Sequence, residues 1–468
     1  MNQRIAFLAA SMVILSAACA VGPNYHRPAV KVPDTFRAPA LVVSEAESLA
    51  DLKWWQVFKD EKLQTLIRRA LEQNYDLQDA AARVEAARAN LGIIRSNQLP
   101  TAGLSTGVTN NHMSQNGSFL LTNPSAAERT YGAATLNFLS FELDIWGKLR
   151  RATEAARANL LAAEENRKAV MTTLVSDVAA AYLSLRELDS ELDISNQTLA
   201  LRRESLELIK TRQKGGVSTL LDLRQAEQLV YSASEEIPNI EQQITQTENQ
   251  ISLLMGENPA GVTRGLALTD QEVPPEVPAG LPSALLDRRP DIRAAEQNLI
   301  AANAQIGVAK ASYFPQISLT GFLGGQSTQL VSLFSGPNQV WNFAPQLTQP
   351  IFAAGRFRSN VRLAEAQRQA ALAQYQKAIQ SAFTEVSDAL TAHQKARERR
   401  EQQELLVSAL QDRKRLAYIR YRGGVDTLLN ALDADRDLYQ AELALSQIKL
   451  GELLSVVQLY KSLGGGWN

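Results

Sequence analysis

A short glycine-rich turn occurs twice in the chain and constrains its architecture more than any other feature. Residues 214–222 read KGGVSTLLD, and residues 422–430, 208 positions later, read RGGVDTLLN. Each copy separates two long runs of helical apolar periodicity, which is typical of a tight turn between antiparallel helices. The glycines can supply the left-handed residue that ends the first helix. The polar residues that can cap the next helix are Ser218, Thr219, Asp426 and Thr427.

The same shift continues upstream of the turns. Residues 147–150 (GKLR) match residues 355–358 (GRFR), again 208 positions apart. Earlier in the chain the shift becomes 215, where Asp76 aligns with Asp291. The first copy is therefore seven residues longer between Pro100 and Gly147. Self-similarity at a fixed shift indicates a tandem duplication.

The first 18 residues have the pattern of a secretory signal, with one early positive charge, an apolar run and small residues before Cys19. Cys19 is the only cysteine in 468 residues, which excludes an intramolecular disulfide and a thiolate metal cluster. Residues 15–19 (LSAAC) resemble a bacterial lipoprotein box, whose cysteine becomes the acylated first residue, although the leucine lies one place further from the cysteine than usual. A plain signal peptide is the alternative. The residue after the cysteine is Ala20 rather than Asp, which resembles lipoproteins that are sorted to the outer membrane.

Charge and motifs exclude several classes of function. The chain has 48 Lys plus Arg and 49 Asp plus Glu, so it has no electrostatic footprint for nucleic acid. Its histidines, His26, His112 and His393, lie too far apart for metal-ligand spacing. We find no phosphate loop, nucleophile elbow or paired-carboxylate signature. We therefore predict a protein that is not an enzyme and that has no cofactor and no metal site.

In each repeat the apolar period changes to two before the long helix. Residues 104–109 and 139–145 alternate between apolar and polar or small side chains, as do residues 317–323 and 341–348. The connecting loops are long and polar: residues 110–130 and 324–340. Strands of about ten residues with aromatic residues near their ends are typical of a transmembrane barrel. A soluble, half-buried sheet is the alternative for hairpins taken alone.

Two hairpins provide four strands, too few to close a barrel. Open sheet edges are not tolerated in lipid, so closure requires several chains. Three copies would supply about twelve strands, an even number within the range of outer-membrane barrels. The sequence therefore predicts a homotrimer.

The helix after each hairpin is unusually long. Residues 148–213 contain no Gly or Pro, so one continuous helix would reach about 100 Å. The return helix, residues 219–255, is shorter than the long helix. Together with the helix at residues 76–97 it nearly equals the long helix in length, so these two helices can stack end to end beside the long one. Such pairs around a three-fold axis would form a hollow tube. The long helix also carries a heptad seam, which imposes a left-handed supercoil: Met171, Leu174, Val178, Ala181, Leu185, Leu188 and Leu192.

The predicted fold class is a mixed α/β membrane protein: an internally duplicated chain whose trimer forms a 12-stranded β-barrel, four strands per chain, continuous with a long α-helical barrel. The N-terminal segment, with Trp54-Trp55, is predicted to form a girdle with the linker and the tail. The predicted boundaries are signal peptide 1–18, anchor and equatorial segment 19–75, first repeat 76–255 with hairpin 101–146 and tip turn 214–218, linker 256–290, second repeat 291–459 with hairpin 316–352 and tip turn 422–426, and tail 460–468.

Several strings occur in the order known from one family and together span nearly all of the mature chain. They are Trp54-Trp55, FELDIWG at 141–147, RRPDI at 288–292, ANAQIG at 302–307, Phe314-Pro315, YRGG at 421–424 and LYKSLGGGW at 459–467. The chain resembles the TolC-family outer-membrane factors, in particular the lipoprotein branch of the drug-efflux channels. The resemblance implies a trimeric duct from the periplasm through the outer membrane, anchored to lipid through acylated Cys19. Its expected partners are a periplasmic adaptor (membrane fusion) protein and an inner-membrane RND-type transporter.

The resemblance also implies that the two glycine turns are the tips furthest from the outer membrane, where the adaptor docks. The docking residues by resemblance are Gly215, Gly216, Val217, Ser218, Thr219, Gly423, Gly424, Val425 and Thr427.

By the same resemblance, the return helices close the tunnel just past the tips. Asp433 matches one gate aspartate, whereas Asn430 departs from the second. Asp222 resembles the carboxylate that holds the closed state, and Tyr421 matches its tyrosine partner. Asp426 replaces the arginine partner. Three Asp433 carboxylates around a narrow axis would repel one another and favour cations; the alternative is a carboxylate stabilised only by its helix dipole.

Three alternative functions remain open at this stage. A type I secretion duct belongs to the same class, although the lipoprotein box and the RRPD string favour efflux. A metal-efflux duct is less favoured because only five methionines occur. A periplasmic coiled-coil scaffold lipoprotein without a pore would explain the heptads but not the matching hairpins.

Overall fold

The computed structural model describes residues 20–33, 35–36, 49–112, 128–271 and 282–467. Cys19, the signal sequence, and parts of the predicted loop 110–130 and linker 256–290 lie outside these residues. The chain divides into two compact units. The sheet unit comprises residues 1–29, 84–163 and 295–375, and the helical unit comprises residues 30–83, 164–294 and 376–468.

The helices have matching lengths in the two repeats. In chain order they are α1 (Trp54–Val57), α2 (Glu61–Gln73), α3 (Tyr75–Ser96), α4 (Lys148–Lys214), α5 (Leu220–Leu254), α6 (Leu285–Arg288), α7 (Pro290–Ala311), α8 (Arg356–Arg422) and α9 (Leu428–Ser462). Helices α3 and α7 have 22 residues each, α4 and α8 have 67, and α5 and α9 have 35. The predicted duplication is confirmed. Helix α9 ends three residues later than predicted because Leu459 and Tyr460 still face the core.

The sheet unit contains one antiparallel sheet in the order β1-β2-β3-β4. Its strands are β1 (Ala102–His112), β2 (Glu128–Glu142), β3 (Gln316–Ser327) and β4 (Gln339–Thr348). The register places Leu104, Leu136, Leu323 and Trp341 side by side in one row. The neighbouring row on the opposite face contains Gly103, Asn137, Phe322 and Asn342. The predicted apolar face is therefore confirmed in this row, whereas the opposite row is only half polar, because Gly103 and Phe322 lie beside Asn137 and Asn342.

The strands differ in extent from the alternating stretches in the sequence. Strand β2 begins at Glu128, inside the predicted loop, and ends at Glu142, before the predicted strand residues Leu143 and Ile145. Strand β1 likewise continues to His112, which pairs with Glu128. Backbone pairing extends past the apolar residues because a ladder needs only N–H and C=O groups and continues where side chains are polar.

The core of the helical unit combines the N-terminal segment, the linker and the tail. Trp54, Leu268, Leu285 and Leu463 belong to one buried cluster with the middle of α4. Much of the predicted seam on α4 lies in this core, since Leu174, Val178, Ala181 and Leu185 belong to the same buried cluster. The three segments predicted to form a girdle therefore share one hydrophobic core.

Asp60 is a buried carboxylate that ties the linker to this core. Its side chain caps α2 by accepting hydrogen bonds from the N–H groups of Lys62 and Leu63. It also accepts hydrogen bonds from Tyr182 Oη and from Leu266 N, both at 2.9 Å. Burial raises the pKa of Asp60, but these bonds and one from Gln271 outweigh it and hold the pKa below its ordinary value.

The short and return helices meet end to end at two equivalent joints. In the first repeat, Asn74 Nδ2 donates to Leu254 O at 2.9 Å. In the second repeat the equivalent residue is Arg289, whose guanidinium donates to Ser462 O at 2.9 Å. The predicted stacking is confirmed, and each joint satisfies a carbonyl that the end of a helix leaves free.

Candidate functional site

Both glycine turns adopt the same backbone conformation. In the first, Gly216 N donates to Gln213 O at 3.0 Å and Val217 N to Arg212 O at 2.8 Å. In the second, Gly424 N donates to Tyr421 O at 3.0 Å and Val425 N to Arg420 O at 3.1 Å. Gly216 and Gly424 have φ of 75° and 70°, the left-handed region that glycine adopts without steric cost. These bonds cap the ends of α4 and α8 as the sequence predicts.

The helices after the two turns are capped differently. In the first repeat, Thr219 Oγ1 accepts from Asp222 N at 3.1 Å, and Asp222 Oδ2 accepts from Thr219 N at 2.8 Å, which is a capping box. In the second repeat, Thr427 makes no side-chain cap. The predicted cap is therefore confirmed for Thr219 and wrong for Thr427.

Asp426, the other residue that the sequence offers as a cap for the second return helix, bonds to the residue just before that helix. Its Oδ1 accepts from Thr427 N at 2.8 Å and from Asn430 Nδ2 at 2.6 Å, and its Oδ2 pairs with Arg420 Nε at 3.0 Å. The bonds from Arg420, Asn430 and Thr427 lower the pKa of Asp426. Of the predicted gate residues, Asp426 and Asn430 are thus in direct contact.

Tyr421 and Asp222 do not bond to each other in this chain. Tyr421 belongs to a buried apolar cluster, and the Arg212 guanidinium lies 5.0 Å from its ring centroid. Its hydroxyl is buried without a hydrogen-bond partner among the described residues. Asp222 is engaged in its capping box. The predicted latch between them stays a prediction.

Apolar side chains are exposed at both turns. Val217 is 68% exposed and its counterpart Val425 is 67% exposed. Leu221 and its counterpart Leu429 lie one helical turn further on and are also exposed. The tips therefore present two equivalent apolar surfaces, and exposed apolar surface is the kind that binds other proteins.

Asp433 lies on α9 about one turn beyond Asn430. Its side chain is about one-third exposed and pairs with the Arg436 guanidinium at 3.1 Å. Arg436 also pairs with Asp437 at 3.2 Å. The predicted gate carboxylate therefore has a cationic neighbour on its own helix.

The sequence analysis missed a buried ion cluster two residues further on. Asp435 Oδ2 accepts from Arg202 Nε at 2.8 Å, and Asp435 Oδ1 pairs with Lys414 Nζ at 2.6 Å. Asp435 and Arg202 are each at most 5% exposed. Asp435 on α9 is thus bonded to both long helices. A signal was present: Asp435 continues the three- and four-residue apolar spacing of Leu428, Leu432 and Leu438, where a charge must be paired if it is buried.

A second polar contact joins α4 and α9. Glu187 and Glu191 are buried, and Gln447 Nε2 donates to Glu191 Oε1 at 2.9 Å. The pKa of Glu187 is raised to about 8, mainly because the side chain is buried and also because Glu191 is adjacent. Further along the same contact, the hydroxyls of Ser195 and Tyr439 lie 2.9 Å apart.

The N-terminal strap, residues 20–29, belongs to the sheet unit. Val21 N donates to Trp146 O at 2.9 Å. Ala20 lies so close to Gly147 that a Cβ on that glycine would lie 2.8 Å from Ala20 Cα. The residue after Cys19 is therefore held beside Gly147, which lies five residues after the end of β2 and directly before α4.

Within the described part of the chain, no three His, Cys, Asp or Glu residues are grouped so that they could hold a metal ion. His393 is buried, and its Nδ1 lies 3.0 Å from Ser455 Oγ. Burial lowers its pKa. Over the same described ranges, no helix is long and apolar enough to cross a membrane.

Comparisons with known proteins cover both repeats. The family profile described as outer membrane efflux protein matches residues 66–257 and 281–465. The chain is similar to the probable efflux pump outer membrane protein SepC of Pseudomonas putida, at 38% identity over 99% of this chain and 97% of that protein. It is also similar to the cation efflux system protein CusC of Escherichia coli, at 35% identity over 96% of each. The open state of the MtrE outer membrane channel of Neisseria gonorrhoeae matches with a TM-score of 0.86, at 33% identity over 96% of this chain and 99% of that one.

These similarities confirm the predicted fold class of a trimeric β-barrel continuous with an α-helical barrel. They also confirm the family resemblance found in the sequence.

Proposed function

The chain belongs to the outer membrane efflux protein family and is an outer-membrane exit duct, not an enzyme. From this premise, we propose that it exports drugs or other small toxic compounds. It receives them from a periplasmic adaptor bound to an inner-membrane RND-type transporter. The observation that carries the proposal is the pair of equivalent tips with exposed valine and leucine, each on a hairpin of 67- and 35-residue helices. The scaffold alternative is set aside, because the four strands pair into one sheet and the family profile covers both repeats.

The test is complementation in a bacterium that lacks its own outer-membrane ducts. Expression of the chain with a matching adaptor and transporter should raise the minimum inhibitory concentration of hydrophobic drugs at least several-fold. Copper and silver salts serve as a second set of substrates, because one relative is named for cation efflux. Resistance to the metal salts alone would favour the metal duct, and secretion of a protein substrate would favour the type I duct.

The tips dock the adaptor through their exposed apolar side chains. Val217 and Val425 are uncharged, so a glutamate at either position places an ionised group in the contact between the tip and the adaptor. We expect Val217→Glu and Val425→Glu to reduce adaptor capture from detergent and to abolish drug resistance. Leu405→Glu, at an equally exposed position on α8 away from the tips, is the matched control. Equal capture by Val425→Glu and the control would contradict docking at the tips.

Asp433 lines the constriction of the trimer and gives it a preference for cations. Three such carboxylates near one axis attract cations and repel anions. We expect Asp433→Ala to lower the cation-to-anion permeability ratio in planar bilayers. Asp437→Ala, which removes a carboxylate from the same helix, is the control. Unchanged selectivity in Asp433→Ala would remove the gate assignment.

The latch connects Asp222, at the start of α5 after the first tip, with Tyr421, Asp426 and Asn430 at the second tip. The Tyr421 hydroxyl is buried without a hydrogen-bond partner among the described residues. Asp426, which stands where the family resemblance expects an arginine, binds Asn430. We expect Tyr421→Phe combined with Asp222→Ala to raise single-channel conductance by loosening the closed state. Conductance equal to that of the unmodified protein would remove the latch.

Cys19 carries the acyl anchor. Its neighbour Ala20 is held beside Gly147, a few residues from the end of β2. Intact mass measurement of the mature protein should show Cys19 as an acylated N-terminus, and Cys19→Ser should lose the added mass. An unmodified mature N-terminus elsewhere would contradict the anchor.

A further inference from the structure

The sheet unit contains a cavity of about 180 Å³ at the end of the sheet from which α4 and α8 begin, here called the foot cavity. Three aromatic side chains line it: Trp146, Phe314 and Phe357. The Trp146 and Phe314 rings stack with their centroids 4.6 Å apart, and Trp146 Nε1 donates to Pro315 O at 2.8 Å, so this wall is already fixed in the chain. An apolar cavity of about 150 Å³ holds one benzene ring. The foot cavity therefore has room for one aromatic ring with a small substituent.

The foot cavity lies on the more polar face of the sheet. Gln316, which lines it, shares a face with Phe322, since successive residues of β3 alternate between faces, and Phe322 pairs with Asn342. Glu142 also lines the cavity and lies on that face, because it pairs with Ser318. In a transmembrane barrel with a channel, the polar face lines the interior. The cavity therefore lies along the route of a compound that passes through the barrel.

In the first repeat the charges that line the foot cavity are balanced within the chain. Lys148 Nζ pairs with Glu142 Oε1 at 3.2 Å. Asp144 accepts from Leu149 N at 3.0 Å and from Arg150 N at 2.8 Å, and it pairs with the Arg150 guanidinium at 3.3 Å. Neither carboxylate therefore needs a cation from a ligand.

The second repeat contributes a cation without a carboxylate. A shift of 208 residues places Arg356 where the first repeat has Lys148, but Pro350 where it has Glu142. Arg356 forms no ion pair with any residue that the structure describes, and its guanidinium lies 5.3 Å from the Phe357 ring centroid. The wall of the cavity thus presents an unbalanced positive charge beside an aromatic ring.

We infer that the foot cavity binds exported compounds in which an aromatic ring carries an anionic group, such as aromatic carboxylates. The ring packs against the aromatic wall, where stacked and edge-to-face contacts are favourable. The anionic group pairs with Arg356, whose planar guanidinium matches the two oxygens of a carboxylate. A cationic compound finds the same wall but no carboxylate that lacks a partner. The inference rests on the proposed export function and narrows its substrate class.

Ligand-observed saturation-transfer NMR of the detergent-solubilised full-length protein tests the inference, with benzoate as the probe. Benzoate should bind more tightly than acetate, which lacks the ring, and than benzylammonium, which has the opposite charge. Arg356→Gln should raise the dissociation constant of benzoate about fivefold, the upper range for a charge pair that water still reaches. Arg358→Gln is the matched control, because it removes an exposed arginine two residues away that does not line the cavity. Equal binding of benzylammonium, or equal weakening by the two variants, would overturn the inference.

Protection of an introduced thiol provides a second measurement that places the ligand. Ser312 lines the foot cavity, whereas Ser359 lies on the exposed surface of α8 outside it. Benzoate should slow the reaction of Ser312→Cys with a neutral maleimide and leave that of Ser359→Cys unchanged. Addition of Arg356→Gln to Ser312→Cys should remove most of the protection. Protection of neither thiol, or of both alike, would contradict binding in the cavity, as would protection by phospholipid alone.

The complementation assay separates this inference from the proposed function. Drug resistance conferred by the unmodified chain without benzoate binding would remove only the cavity assignment. Absence of resistance would remove the export function whatever the cavity binds.

Discussion

Removal of Asp435 is expected to loosen the return helix α9 from both long helices. Asp435 is bonded to Arg202 on α4 and to Lys414 on α8, and its side chain is 4% exposed. Substitution by alanine would leave a buried guanidinium without its counter-ion. Loss of one partner of a buried ion pair typically costs about 3–5 kcal/mol. Each 1.4 kcal/mol is about tenfold in an equilibrium constant, so Asp435→Ala should raise the opening equilibrium of α9 about a hundred- to several-thousand-fold.

Hydrogen exchange of the α9 backbone amides in detergent-purified protein measures that opening. Asp437→Ala is the matched control, because Asp437 lies two residues away and pairs with both Arg413 and Arg436, but at the surface. Surface pairs contribute about 0–1 kcal/mol, so the control should change the exchange rate at most a few-fold. Similar exchange in Asp435→Ala and Asp437→Ala would refute the reasoning.

A compensating variant separates the loss of charge balance from the loss of packing. The variant Asp435→Leu with Arg202→Met and Lys414→Met replaces the whole cluster by apolar residues and so removes all three of its charges. Such replacements are often neutral or stabilising. We therefore expect the triple variant to recover most of the protection that Asp435→Ala loses. Continued rapid exchange in the triple variant would indicate that Asp435 acts through its shape rather than its charge.

The remaining predictions concern pH and the backbone. The pKa of Glu187, about 8, lies above its ordinary 4.5, so the packed helices hold a proton that separated helices release. Its contribution to stability is complete below about pH 4.5 and is lost as the pH rises through 8; Glu187→Gln should flatten the melting temperature over that range, and an unchanged slope would contradict the assignment. Gly256→Ala should lower the melting temperature more than Gly216→Ala. Both glycines have positive φ, but a Cβ at Gly256 would lie 2.5 Å from Gln73 O, whereas none of the described atoms lies within 4 Å at Gly216; equal shifts would refute the clash.

The sequence alone predicts most of the fold, because the apolar periodicity and the glycines that end helices depend on residues close together in the chain. The spacing of Leu174, Val178 and Leu185 defines a helix face whatever the partner is. The glycines at 215–216 and 423–424 mark where the helices end, because no other residue adopts that backbone conformation so easily. The strand bounds were less predictable, since pairing continues through polar residues such as Asn111.

The candidate site was only partly predictable. The positions of the turns follow from the sequence, and the cap at Thr219 follows from its spacing to Asp222. For the second turn the sequence offered both Asp426 and Thr427, and only the structure shows that Thr427 makes no side-chain cap while Asp426 accepts from Thr427 N and from Asn430 Nδ2. The two copies of the string differ at three positions, and two of these differences, Ser218 against Asp426 and Asp222 against Asn430, involve the side chains that bond at the start of the return helix.

By itself the sequence determined the duplication, the helix lengths and the two turns, because these depend on residues close together in the chain. Only the tertiary structure decided which polar groups share a buried site. Asp435 and Arg202 lie 233 residues apart in sequence, and no periodicity links them. The same holds for Glu187 and Lys395, which occupy equivalent positions in the two repeats, since only the structure shows that Glu187 is buried and Lys395 is exposed. Burial is a property of the packed molecule, and it decides whether a charged side chain is a solvated surface group or half of an ion pair.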